Sequence, residues 1–149
     1  MKSLQVFSAS SERVFVIVLA PGDEAFQSLS DFARDKQIKA ASLTAIGAFA
    51  HATLGWFDLQ AKEYRPIQVN EQCEALSFVG DVADDDDGRP SLHLHGVVGL
   101  SDGSTRGGHL LKATVNPTLE VTLTETPAHL HRRKQVDLGI ALIALPGGG

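Results

Sequence analysis

From Ser42 to Thr124 the chain repeats one pattern, and that pattern limits its possible folds more than any other feature. Short runs of β-branched and other apolar residues alternate with Gly, Pro, Asn and Asp: Ser42 to Phe49, Ala52 to Phe57, Tyr64 to Val69, Glu74 to Val79, Leu92 to Leu100, His109 to Val115 and Leu119 to Thr124. Runs of this length bounded by turn formers are strand signals, and short connections join strands in antiparallel fashion. Two further runs extend the sheet: Val14 to Leu19, closed by Pro21-Gly22, and Leu138 to Leu145 at the far end. In Leu119-Glu-Val-Thr-Leu-Thr the alternation is strict, so Leu119, Val121 and Leu123 should face a core while Glu120, Thr122 and Thr124 face water or another subunit.

Only 23–36 is patterned as a helix. Phe26, Leu29, Phe32 and Ala33 recur at helical spacing, Asp23 is placed to cap, Glu24 falls in the first turn and Lys36 near the end. With 149 residues, 43% of them hydrophobic, there is material for one core. The expected fold is α+β: one domain over 1–149, mainly antiparallel sheet with one main helix, and a frayed tail at 146–149.

Charge and cysteine content narrow the function. A formal net charge of −5 gives no general pull toward a polyanion, so any DNA contact needs a local basic patch. The lone Cys73 cannot form an internal disulfide, and no apolar run approaches the roughly 20 residues of a membrane helix. A soluble protein of the reducing cytoplasm is expected. Glu71 and Glu74 flank Cys73 and should raise its pKa, which makes an inert thiol of it. Asp84-Asp85-Asp86-Asp87 should form an exposed loop, because adjacent carboxylates repel.

The chemistry sits in six histidines. A strand places His93 and His95 on one face and Leu92 and Leu94 on the other, with the two histidine Cα atoms roughly 6.6 Å apart at about 3.3 Å per residue. Two imidazoles at that span can converge on one ion through Zn–N bonds of about 2.0 to 2.1 Å. The turn-rich segment from Leu100 to Gly108 leads directly into a new run beginning at His109, so a hairpin brings a third imidazole beside the pair. Gly107 and Gly108 allow close backbone approach there. Three nitrogens hold zinc or another divalent transition metal and leave a position for water or a small-molecule ligand. The alternative is a pair of half-buried histidines bonded to backbone. The second pair, His129 and His131, precedes Arg132-Arg133-Lys134; that cluster would repel a cation and is read as surface, with anion binding or subunit contact as its alternative use. His51 has no evident partner.

Taken in order, Pro21-Gly22-Asp23-Glu24, Ala45-Ile-Gly47-Ala48, Ala52-Thr-Leu-Gly55-Trp-Phe57-Asp, Glu74-Ala-Leu-Ser-Phe-Val-Gly80, Leu92-His93-Leu-His95, Gly107-Gly108-His109 and Thr118-Leu-Glu120-Val make the chain resemble the PPC (plants and prokaryotes conserved) family over nearly its whole length. The resemblance implies a compact domain that assembles as a homotrimer, with the segment at Glu74-Ala-Leu-Ser serving assembly. Its prokaryotic members commonly carry a DNA-binding label taken from plant relatives that have a separate AT-hook. Here Gly88-Arg89-Pro90 follows four aspartates and no hook is present. The fold is also similar to that of alpha-acetolactate decarboxylase, a zinc enzyme whose pattern of one HxH pair and a later histidine falls on His93, His95 and His109. Glu74 and Glu120 are the candidates for a catalytic carboxylate beside the ion. The functions in view are a DNA-associated regulatory protein, a zinc-dependent lyase or hydrolase for a small carbonyl or ester substrate, and a metabolite-sensing trimer.

Overall fold

A computed structural model describes residues 1–7, 12–127 and 130–145; the expected frayed tail at 146–149 and the side chain of His129 lie outside them. In chain order the elements are β1 (Lys2–Phe7), β2 (Val14–Leu19), α1 (Ala25–Asp35), β3 (Ala40–Asp58), β4 (Glu63–Val69), β5 (Cys73–Asp84), β6 (Pro90–Gly99), β7 (Thr105–Glu125), β8 (His131–Gln135) and β9 (Ile140–Ala144). The expected sheet-dominated α+β fold with one main helix is what forms.

The helix lies within the expected 23–36 but starts at Ala25, because Glu24, not Asp23, caps it. The Glu24 carboxylate accepts from the N–H groups of Phe26 (3.3 Å) and Gln27 (2.7 Å), satisfying donors the helix leaves open, and also accepts from the N–H of Ala113 in β7. Asp23 instead accepts from the N–H of Ala20 and closes the preceding turn. Ala25, Leu29, Phe32 and Ala33 are buried by α1, and Phe32 meets Phe15 of β2 edge-on at 5.2 Å.

Two pairs of expected strands prove to be single long ones. The runs around 42–49 and 52–57 merge into β3, and those around 109–115 and 119–124 merge into β7. Register shifts between Gly47 and Phe49, between Phe49 and His51, and between Thr53 and Leu54 absorb the breaks as bulges rather than turns. Bulges kink a strand without ending it, which is why the sequence signal looked like a boundary.

Strand β3 pairs with β4, β5 and β7, and β6 pairs with both β5 and β7, so the ring of contacts β3–β5–β6–β7 closes on itself. Pro66 is tolerated in β4 because that strand pairs only with β3 and needs no second ladder. The core contains Ile17, Leu19, Phe49, Leu54, Val82, Leu94, Val98, Leu110 and Val115, all fully buried, and Leu119, Val121 and Leu123 join it as their alternation required. Two elements were not foreseen as strands, β1 and β8. Strand β1 pairs with β2, while β8 meets β5 through the single parallel pair Asp84–His131 and forms a hairpin with β9. Among the described residues no helix is long and apolar enough to cross a membrane.

Candidate metal centre

The β6–β7 hairpin builds the centre. Its turn is fixed by Asp102, whose carboxylate accepts from the N–H (2.8 Å) and hydroxyl (2.6 Å) of Ser104. The resulting register sets His95 directly opposite His109, and His93 lies two residues along the same face of β6. Leu92 and Leu94 point into the core, as expected. On its other edge β7 places His109 opposite Gly55 of β3. Close approach of β3 and β7 is possible only because residue 108 is glycine: a Cβ there would stand 2.6 Å from the Gly55 carbonyl oxygen.

The three imidazoles converge. One candidate ligand nitrogen from each of His93, His95 and His109 lies within 4.8 Å of the other two, and the Nε2 atoms of His93 and His95 are 3.0 Å apart. Ring centroids are separated by 4.9, 5.1 and 5.2 Å, and Tyr64 of β4 stacks on His109 at 4.6 Å, holding the plane of that ring. The Nδ1 atom of His109 is buried with no hydrogen-bond partner among the described residues, a costly state for a polar atom. Burial, reinforced by the neighbouring His93, His95 and Arg132, pushes the His109 pKa down to about 4. Burial likewise lowers that of His93, with Arg132 and His95 adding to the effect and Asp81 opposing it. Near neutral pH the His109 ring is therefore uncharged and offers a lone pair. At Zn–N bonds of about 2.0 to 2.1 Å, two ligands on one ion lie at most roughly 4 Å apart, so small ring rotations suffice to bring these nitrogens onto one zinc. The donor set fits a divalent transition metal.

Beside the histidines lies a pocket of about 350 Å³, walled in part by Phe57, Tyr64, Leu92, Ile140 and Leu142. Arg132 also lines it, which departs from the reading of Arg132-Arg133-Lys134 as a surface cluster. Arg133 and Lys134 are exposed, but Arg132 is only 5% exposed, turned inward by strand alternation to pair with Asp81 and to donate to the Ser91 carbonyl oxygen (3.1 Å). Asp81 is itself the β5 neighbour of His93. Nothing in the sequence of β8 singles out Arg132 from the cations beside it; only the structure shows that it is the one buried position of that strand.

The carboxylates singled out earlier are elsewhere. Glu74 lines a depression with Cys73, Gly99 and Leu100, and Glu120 lies on the exposed face beside Ile46 and Val18. The carboxylate that does line the histidine pocket is Glu63. Cys73 is buried, and burial first, then Glu71, raises its thiol pKa. His51 is exposed opposite Thr114. The expected exposed loop Asp84 to Asp87 is shorter than that: Asp84 ends β5 and is buried, 3.4 Å from the Lys39 ammonium, because strand pairing reaches it, while Asp86 and Asp87 are exposed and Asp86 accepts from the Lys134 N–H at 3.3 Å.

The sequence model of the Plants and Prokaryotes Conserved (PCC) domain matches residues 6–127. Among curated proteins, the bifunctional protein GlmU of Synechococcus sp. (strain JA-3-3Ab) is 32% identical over 124 residues, 82% of this chain; the chain spans only 18% of the length of that relative. A plant- and prokaryote-conserved (PPC) protein of Pyrococcus horikoshii superimposes with a TM-score of 0.83 at 28% identity, over 89% of this chain and 92% of that one. A protein of Ralstonia eutropha JMP134, provisionally named as DNA-binding, gives 0.81 at 34% identity over 89% and 91%. A metal-containing protein of Archaeoglobus fulgidus gives 0.81 at 31% identity over 97% and 100%. Alpha-acetolactate decarboxylase of Bacillus subtilis strain 168, at 16% identity over 88% and 60% and a TM-score of 0.53, shares the fold.

Proposed function

The chain belongs to the Plants and Prokaryotes Conserved domain family, and on that footing we propose that it is a metal-binding domain for a small-molecule ligand, with zinc or another divalent transition metal held by His93, His95 and His109. The observation that carries this reading is the convergence of three imidazoles, one of which, that of His109, keeps a buried Nδ1 without a hydrogen-bond partner among the described residues. The metal-containing relative from Archaeoglobus fulgidus supports it. When bound, the ion supplies Lewis-acid polarisation to a carbonyl or ester group entering from the pocket. The chain's own residues do the rest. Tyr64 fixes the His109 ring by stacking, Asp81 balances the charge of Arg132, and Phe57, Ile140 and Leu142 limit the water beside the histidines. Such a site suits a zinc-dependent lyase or hydrolase as well as a metabolite sensor. The test is elemental analysis of purified protein: about one ion per chain is expected, lost in His93→Ala, His95→Ala and His109→Ala, and metal-free wild-type protein that takes up no zinc on dialysis would overturn the reading.

Homotrimer assembly is part of the proposal. It is supported by Val18, Ile46 and Val79, exposed together on one face of β2, β7, β3 and β5.

Duplex-DNA association is the second reading, and the provisional name of the Ralstonia protein supports it. Charge works against it: the chain is net −5, Arg132 is spent inside, and Lys134 adjoins the acidic loop. Titration with duplex DNA at about 100 mM salt decides, because phosphate binding releases counterions and must weaken as salt rises.

A further inference from the structure

The family match ends at residue 127, yet a wall of the histidine pocket comes from beyond it. The β8–β9 hairpin is fastened at both ends. At its base the Asp84 N–H donates to the Leu130 carbonyl oxygen (2.8 Å) and β8 takes its one pairing with β5. At its tip Gly139, with φ of +76°, sits so tightly on Lys62 that a Cβ would lie 2.8 Å from the Lys62 Cβ. Between those points Arg132, Ile140, Ala141 and Leu142 line the pocket.

We propose that this hairpin makes the pocket selective for a small organic carboxylate, with Arg132 as the residue that recognises the carboxylate and a short carbon chain resting among the apolar residues that line the pocket. The inference rests on the metal reading for the role of the histidines, but not for the role of Arg132.

Three observations carry it. A guanidinium so deeply buried is costly unless paired, and only two of its five N–H donors have partners among the described residues, Asp81 and the Ser91 carbonyl. Arg132 with Asp81 and Lys62 with Glu63 cancel in charge, so a divalent ion on neutral histidines leaves the pocket positive and favours an anion. A single planar guanidinium beside apolar walls matches a carboxylate on a short chain, whereas a phosphate ester gains most from several cations together. The volume of about 350 Å³ lies at the low end for ligand sites, which limits the guest to a small metabolite.

The test uses the full chain loaded with zinc and isothermal titration with 2-oxobutyrate, its neutral analogue 2-butanone, and inorganic phosphate. Wild-type protein should bind 2-oxobutyrate at least tenfold more tightly than either of the others. Arg132→Gln should lose roughly tenfold to hundredfold on the acid, the loss typical of a hydrogen bond to a charged group, with the ketone unchanged. Arg132→Lys should recover part of it. Because Arg132→Gln leaves Asp81 unpaired, the double variant Asp81→Asn/Arg132→Gln is measured beside it, with thermal unfolding as the check on folding. Undiminished acid binding in the folded double variant, equal binding of acid and ketone by wild type, no acid binding at all, or tighter phosphate binding would each overturn the proposal. If the protein takes up no metal, the metal reading falls alone, and the acid-versus-ketone comparison on metal-free protein still judges Arg132.

Discussion

Two depressions on this protein have the same volume, about 350 Å³, and almost nothing else in common. One is the histidine pocket. The other lies on the sheet face formed by β2, β7, β3 and β5, lined by Val16, Thr44, Ile46, Val79, Glu120 and Thr122, with Ile46 61% and Val79 53% exposed. In the first, polar groups converge from β6, β7 and β8 and one of them is buried without a partner. In the second, side chains stand side by side on a pleated surface, as strand alternation dictates, and no two aim at a common point. The difference teaches that concavity alone does not mark a chemical site here. Convergence does, and convergence requires strands that face one another across a hairpin.

The largest effect expected from testing that contrast is at the histidines. His109→Ala should weaken zinc affinity by more than about a hundredfold, since even residues behind the ligands cost ten- to hundredfold; equilibrium dialysis against a zinc buffer measures it. If His109→Ala bound zinc like wild type, the two depressions would be chemically equivalent. Next comes Ile46→Asp, which should convert the proposed trimer to monomer in sedimentation velocity while leaving metal content untouched, because it lies on the other face. Smaller is Gly108→Ala. The new methyl must push β3 from β7 against the Gly55 carbonyl, so urea unfolding should show a loss of about 1–3 kcal/mol, with zinc affinity falling as His109 shifts. Smallest of all is Glu120→Gln, for which stability within about 0.5 kcal/mol of wild type and unchanged zinc uptake are expected. A clear loss of zinc in Glu120→Gln would tie the two regions together.

Much of this was legible in the sequence, for identifiable reasons. His93 and His95 share a face because a strand has period two, and the glycine-rich turn before His109 announced a hairpin whose register then set His95 against His109. The core alternation of Leu119, Val121 and Leu123 was equally direct. Strand lengths were not, because a bulge and a turn have the same local composition: Ala50-His51 and Asn116-Pro117 look like boundaries, yet β3 and β7 run through them. The helix cap was misjudged by one residue, since Asp23 and Glu24 are both chemically able and only the position of β7, which brings the Ala113 N–H to Glu24, decides between them. Arg132 was hidden by its neighbours. In a run of cations, nothing local shows which one turns inward; that depends on Asp81, far away in the chain. The carboxylates Glu74 and Glu120 were chosen by residue type, and type says nothing about facing.

The two longest strands, β3 and β7, are also each other's chief partners, with Ala41 against Glu125 and Gly55 against His109. A ribosome therefore releases the first half of this pairing well before the second exists. Until Glu125 has emerged, β3 offers an unsatisfied edge to any chaperone or stray chain nearby, and folding dominated by such distant partners is intrinsically slow. His109 reaches His95 through the β6–β7 hairpin, so metal capture must wait until both of those strands have emerged.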